Sequence, residues 1–141
     1  MKTISVILIL HLFLFLGCNK NNPTETYNEL FGYYESSTFI EPGANDGGVN
    51  ILASGGYLNI NFTADFKFSA EMFIPENILS NYPSGITNYE GSYSVVNNTL
   101  KFNSSFIVDE LIWEKENKIL ISKDVPLRGQ PFKIVLYKNI K

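Results

Sequence analysis

The sequence predicts an all-β domain, an antiparallel up-and-down meander of about eight strands curled into a small β-barrel. Three observations carry that expectation. Past residue 27, apolar side chains recur at nearly every second position, the period of a strand with one buried face. Short polar connectors separate most consecutive runs, so sequence neighbours pair as hairpins. The composition, 14% aromatic and only 18% charged, supplies rings for an interior but little charge to guard open sheet edges, and closure removes such edges.

Taken in order, LFGYYESSTFIE (30–41) reads as the first strand. PGANDGGVNILASGG (42–56) is a long glycine-rich connection with room for a short strand at Val49 to Ala53. YLNINF sets Leu58, Ile60 and Phe62 against Tyr57, Asn59 and Asn61, and FKFSAEMFI sets Phe66, Phe68, Ala70 and Met72 against Lys67, Ser69 and Glu71. Thr63-Ala64-Asp65 joins them as a hairpin. In PENILSNYPSGITN (75–88), Pro75-Glu76 can open one helical turn. YEGSYSVVNNTLKF then places Tyr89, Gly91, Tyr93 and Val95 on one face, turns at Asn97-Asn98 and returns through Leu100 and Phe102; asparagine tolerates the positive φ of a two-residue hairpin turn. FIVDELIWEKENKILISKD forms a further pair turning near Glu116-Asn117, with Phe106 to Trp113 either one strand or two. Pro126, Gly129 and Pro131 mark a loop before PFKIVLYK, whose Phe132, Ile134 and Leu136 face inward. A Greek-key sandwich is the competing architecture, and its crossovers could only be the two long connections.

Residues 1–17 read as a signal peptide. Lys2 is followed by an almost unbroken apolar run, Thr3 to Leu16, then Gly17 and Cys18. That run is shorter than the roughly 20 residues a bilayer-spanning helix needs and fits a secretory signal. Phe15 is too large for the ordinary signal-peptidase pattern. Phe15-Leu16-Gly17-Cys18 resembles a bacterial lipobox, with Phe15 and Leu16 departing from the usual leucine and small residue. The resemblance implies a lipoprotein with a diacylglyceryl group on the Cys18 sulfur, carrying palmitate-type chains, and 18–26 as lipidated cysteine and tether. It also implies attachment to the cell envelope, at the outer membrane, since no aspartate follows the cysteine. The domain proper is then 27–141.

Cleavage after Gly17 discards the single histidine, His11, and acylation consumes the single cysteine. A domain with neither imidazole nor thiol has no Ser-His-Asp triad, no Cys-His dyad, no disulfide and no ordinary nitrogen-and-sulfur zinc site. With 11 Lys plus Arg against 14 Asp plus Glu there is no basic field for a phosphate backbone, and nucleic acid is a poor partner. No cofactor is expected.

Leu30-Phe31-Gly32-Tyr33-Tyr34 resembles the Gly-x-Trp opening of lipocalins, with Tyr34 in the tryptophan's place. YEGSYSVVNNTLKF is similar to the glycine, tyrosine, hairpin, leucine pattern of lipocalin-like (calycin) lipoprotein domains, and Arg128 stands near where that family places an arginine over the first-strand ring. The resemblance implies a lipocalin-like barrel binding a small apolar ligand. Phe39, Phe62, Phe68, Met72, Tyr93 and Trp113 are the candidate lining, with Glu35 or Ser37 as aimed polar groups and 42–56 as a lid. The plainer reading of the same rings is a filled interior, which suits a structural or protein-binding subunit of an envelope complex.

An enzyme is not expected. Glu71, Glu90, Asp109, Glu110, Glu114 and Glu116 alternate with apolar residues as a solvated strand face does, and nothing in their spacing sets two carboxylates across a cleft. Asn45-Asp46-Gly47-Gly48 lacks the further carboxylates of a calcium loop and reads as a turn. The Asn-x-Thr and Asn-x-Ser triplets at Asn61, Asn97 and Asn103 carry little meaning in an asparagine-rich chain.

Overall fold

The computed structural model describes residues 27–43, 48–122 and 132–140. Cys18 with its tether, His11, Arg128, Asn45 to Gly47 and the loop residues Pro126, Gly129 and Pro131 lie outside them. Nine strands follow one another: β1 (Gly32–Glu41), β2 (Val49–Asn50), β3 (Tyr57–Phe62), β4 (Lys67–Ile74), β5 (Gly85–Val96), β6 (Thr99–Asn103), β7 (Glu110–Glu114), β8 (Ile119–Ser122) and β9 (Lys133–Lys138). Every pairing is antiparallel between chain neighbours, apart from β1 with β3 and the β1–β9 pairing that closes the ring. The result is a closed eight-stranded up-and-down barrel, with β2 as an extra two-residue strand on the far end of β1. The Greek-key alternative is excluded.

The alternation read from sequence holds in the walls. In β3, Leu58, Ile60 and Phe62 are buried, as are Phe68, Ala70, Met72 and Ile74 in β4. Inward side chains from all eight barrel strands form one apolar cluster, so the domain is stabilised chiefly by burial of aliphatic and aromatic surface.

Strand β1 contains the main irregularity. Tyr34 and Phe39 are both fully buried although five residues apart, an odd spacing that a regular strand cannot place on one face. A bulge solves this: Ser36 pairs with Leu136 and Thr38 with Val135, leaving Ser37 as the extra residue and shifting the phase by one. Beyond Glu35 the β1–β3 ladder stops, and the Leu58 N–H donates to Ser36 Oγ at 3.0 Å. The β8–β9 ladder ends in the same manner, where the Ile134 N–H donates to Ser122 Oγ at 2.8 Å. Two serine hydroxyls thus stand in for absent strand carbonyls. Ser36→Ala or Ser122→Ala leaves an amide N–H unpaired beside the core, and each is expected to lower unfolding free energy by about 1–3 kcal/mol; equilibrium urea denaturation measures it.

The up-and-down order sorts the connections onto two ends. At one end, the entry end, lie the turn that leads into β1 (Tyr27 to Leu30), the tight turns after β3, β5 and β7, and the residues after β9. Here Tyr34 Oη donates to the Leu30 carbonyl at 2.9 Å, and Lys138 Nζ donates to the Glu29 carbonyl at 2.5 Å while its stem crosses Gly32. Gly32 has φ +126, and a Cβ there would sit 3.1 Å from Lys138 Cε, so both backbone and space call for glycine. Among the described residues, Lys138 thus reaches across the opening of β1. At the other end, Ile51 is fully buried, and Leu52, Ile78, Leu79 and Tyr82 pack against the core.

Three local expectations are corrected. Phe66 is not an inward strand residue: it occupies the β3–β4 turn with φ 59 and is 42% exposed, because the hairpin needs a left-handed residue and the strand phase begins at Phe68. The short strand expected at 49–53 stops at Asn50, and 51–55 is a turn whose Gly56 N–H donates to the Ile51 carbonyl. Phe106 to Asp109 is connection, and only Glu110–Glu114 is strand.

Candidate functional site on the outer wall

The register of β3, β4 and β5 stacks their outward side chains in cross-strand rows. Asn59, Glu71 and Asn88 form one row, Asn61, Ser69 and Glu90 the next, and Lys67 and Ser92 a third. Strand β1 extends the first with Glu35 and the second with Tyr33. Above them Tyr57, Phe73 and Ile86 make an apolar row, in which the Tyr57 and Phe73 rings lie 5.7 Å apart. Strand pairing brings together side chains from four separate sequence segments.

This wall is concave. A groove of ≈ 630 Å³ runs between the β3–β4 turn and the middle of β5, bordered by Asp65, Lys67, Ser69, Glu90 and Ser92. A second hollow of ≈ 260 Å³, bordered by Tyr33, Asn59, Asn61, Glu71 and Asn88, meets it at Ser69. Gly91 lies at the groove, where a Cβ would come within 2.7 Å of Ser104 Cβ and 3.0 Å of Phe68 Cε1. Only glycine lets β5 cross so close to its neighbours.

The polar groups here divide into two sets. In one, Tyr57 Oη donates to Glu71 Oε1 at 2.7 Å, which raises the Tyr57 pKa, while the Thr63 hydroxyl and Lys67 Nζ (2.9 Å) hold the Asp65 carboxyl below its ordinary range. In the other, the side chains of Asn59, Asn61, Ser69, Asn88 and Glu90 make no hydrogen bond with other described residues. Three carboxamides and a hydroxyl therefore border the second hollow, and the Glu90 carboxylate the groove, with donor and acceptor capacity not taken up by other described side chains. Carboxylates outnumber Lys67, so the wall favours neutral or cationic polar groups over anions.

The structure separates the residues singled out from sequence. Phe39, Phe62, Phe68, Met72, Tyr93 and Trp113 all point inward, each 3% exposed or less. Phe62 lies 5.6 Å from the Tyr34 ring and 5.0 Å from that of Tyr93; Phe68 packs on Phe102 and Phe106; Phe39 packs on Phe132. Glu35 is on the opposite face of the wall, exposed, with Oε1 accepting from Asn139 Nδ2 at 2.9 Å, and the bulged Ser37 is also exposed. Neither reaches the interior. Trp113 Nε1 is the one buried side-chain nitrogen or oxygen without a partner among the described residues, a departure that costs about 1–3 kcal/mol. A third hollow of ≈ 140 Å³ sits at the rim between Glu41 and the Ile78 to Tyr82 connection. Among the described residues no cluster of His, Cys, Asp and Glu is arranged to hold a metal, and no helix is long and apolar enough to cross a membrane.

Sequence reasoning placed Glu71 and Glu90 on a solvated face but did not group them with Asn59, Asn61, Ser69 and Asn88. The period-two pattern shows that each is outward; which outward residues become neighbours depends on register, and register is fixed by inward packing and turn lengths. Comparisons with protein-family models, with curated proteins and with solved structures return no match for this chain.

Proposed function

We propose that this protein is a lipid-anchored lipoprotein of the cell envelope, at the outer membrane, whose lipocalin-like barrel is a filled scaffold acting as a protein-binding accessory subunit and not as an enzyme. The single observation that carries the binding mode is the packing of the interior. Phe39, Phe62, Phe68, Met72, Tyr93 and Trp113 are all buried in one apolar cluster with other inward side chains, while the hollows of ≈ 630 and ≈ 260 Å³ lie on the outside of the wall. A scaffold filled in this way binds with its surface, and the β3–β5 wall offers a hollow, unused polar groups and an adjoining apolar row, the combination of polar rim and apolar anchor found at protein interfaces.

The lipocalin resemblance rests on Gly32 and Tyr34 at the entry end, where Tyr34 is buried and its hydroxyl donates to the Leu30 carbonyl; Arg128, the arginine that the resemblance implies, lies outside the described residues. The anchor rests on Cys18 and the apolar run before it.

A photo-crosslinking residue at Ser69, expressed in the native host, is expected to capture one discrete protein adduct, with none from the same group at Lys101 on the outer face of β6. Intact mass of the purified protein is expected to show acylation at Cys18 and a chain beginning there. Absence of any Ser69 adduct, with an apolar small molecule retained by a monomer in native mass spectrometry, would return the reading to a carrier. An unmodified Cys18 would remove the anchor.

A further inference from the structure

Among the described residues, six large hydrophobic side chains are well exposed: Tyr33 41%, Phe66 42%, Ile86 61%, Val96 54%, Tyr137 52% and Ile140 73%. Five of the six belong to the entry end. Tyr33 begins β1, Phe66 is in the β3–β4 turn, Val96 precedes the β5–β6 turn, and Tyr137 and Ile140 lie at and beyond the end of β9. The Asn139 N–H donates to the Tyr33 carbonyl at 2.8 Å, which sets the last residues beside the first strand. Only Ile86 stands at the opposite end, in the row with Phe73.

The contrast between the ends is informative. At the far end, apolar residues of the described connections are turned in, with Ile51 fully buried and Leu52, Ile78, Leu79 and Tyr82 against the core. Phe66 adds a second sign, since a bulky side chain in the left-handed region costs about 1–3 kcal/mol and asparagine, used at the same kind of turn position in Asn97, is the less strained choice. Its ring leans on that of Tyr93 at 5.7 Å and keeps its other side outward.

We infer that this apolar rim seats on the bilayer that holds the anchor, so that the barrel stands end-on with its entry end against the lipid headgroups. The inference rests on the lipid anchor of the proposed function. Eight residues separate Cys18 from Tyr27, and such a segment spans at most roughly 30 Å when fully extended. Of the two ends, the entry end is the one from which the tether departs, and it is the one rimmed with exposed rings and aliphatic groups. Tyrosine suits this boundary, with an apolar body and a polar tip. Lys115 and Lys118, on the β7–β8 turn, can lay their stems along the surface with the ammonium groups in the headgroups. Charge is not the driving term: Lys67 pairs with Asp65 and Lys115 with Glu29, so contact depends on buried apolar area and little on anionic lipid. Standing in this way, the part of the β3–β5 wall away from the entry end, with Tyr57, Phe73 and Ile86, stays clear of the lipid.

The test supplies the anchor chemically, so that it does not depend on native acylation. Because the barrel is built from residue 27 onward, a chain beginning at Cys18 contains the whole domain; its thiol is coupled to maleimide-bearing lipid in phosphatidylcholine vesicles. Hydroxyl-radical labelling, read by mass spectrometry, is compared with the same chain carrying a small maleimide cap free in solution. Labelling at Phe66, Tyr137 and Ile140 is expected to fall several-fold on vesicles while Ile86 is unchanged, and the variant F66S/V96S/I140S, folded by circular dichroism, is expected to lose most of that protection at Tyr137. Unchanged labelling of the rim on vesicles overturns the inference, as does an equal fall at Ile86. Low rim labelling already in the soluble protein, together with a dimer by sedimentation, assigns the rim to self-association and overturns it too. Failure of native acylation at Cys18 refutes the proposed anchor without altering any of these readings.

Discussion

Phe62→Ala is expected to remove about 3–5 kcal/mol of unfolding free energy, much of the roughly 5–15 kcal/mol that holds a domain together. The phenyl ring is the meeting point of three others: Tyr34 edge-on at 5.6 Å, Tyr93 edge-on at 5.0 Å and Phe102 at 6.2 Å. It comes from β3, whereas its neighbours come from β1, β5 and β6, so its loss opens a cavity where four strands converge. Those strands are held by their own ladders and cannot collapse freely into the space. Phe66→Asn, four residues away, loses the ring's contact with Tyr93 but relieves the left-handed backbone, two effects of opposite sign, and is expected to change stability by less than about 1 kcal/mol. Urea denaturation of both variants gives the comparison; equal costs would show that the barrel interior is not packed around Phe62 as described.

The second large effect is alkaline unfolding. Burial raises the pKa of Tyr93 to about 12, and burial raises that of Tyr34 further, with the nearby Tyr93 hydroxyl adding to it. The sign follows from which state holds the proton. Below pH 10 both phenols are neutral in folded and unfolded chains, and stability is independent of their titration. Above the ordinary tyrosine value of 10.0 the unfolded chain ionises while the folded chain stays protonated, so stability falls as pH rises towards the folded values. Each phenol withdraws up to about 1.4 kcal/mol per pH unit in that window, and the pair about 5 kcal/mol between pH 10 and 12. Tyr93→Phe is expected to shallow the dependence by about half. Unfolding free energies that agree at pH 9 and pH 11.5 would refute the assignment of both phenols to the interior.

The two results draw on residues that were legible to different degrees. Phe62 was placed inward by alternation alone, in a six-residue run bounded by clear connectors. The burial of Tyr34 with Phe39 was not legible by the same rule, since their odd spacing contradicts a regular strand. A bulge at Ser37 leaves no mark in composition; it is selected because both rings gain by reaching the core. Phe66 shows the reverse case, where an apolar residue in phase with its strand is diverted by a hairpin needing one left-handed residue. The outer wall was half legible: Glu71 and Glu90 were identified as surface carboxylates, but the two adjoining hollows they border, with Asn59, Asn61, Ser69 and Asn88, exist only once four strands are aligned.

By itself, then, the sequence determined the strand class, the order of the hairpins and the inward set of most strands. These are properties of single segments, decided by side-chain period and by residue type. The tertiary structure alone decided that the ring closes through β1 and β9, that Lys138 reaches across the opening of β1, that the inward side chains of all eight strands meet in one cluster, and that most exposed large hydrophobics among the described residues gather at one end. Each of those depends on contacts between residues distant along the chain, whose free energy is realised only when register, bulge and turn are chosen together.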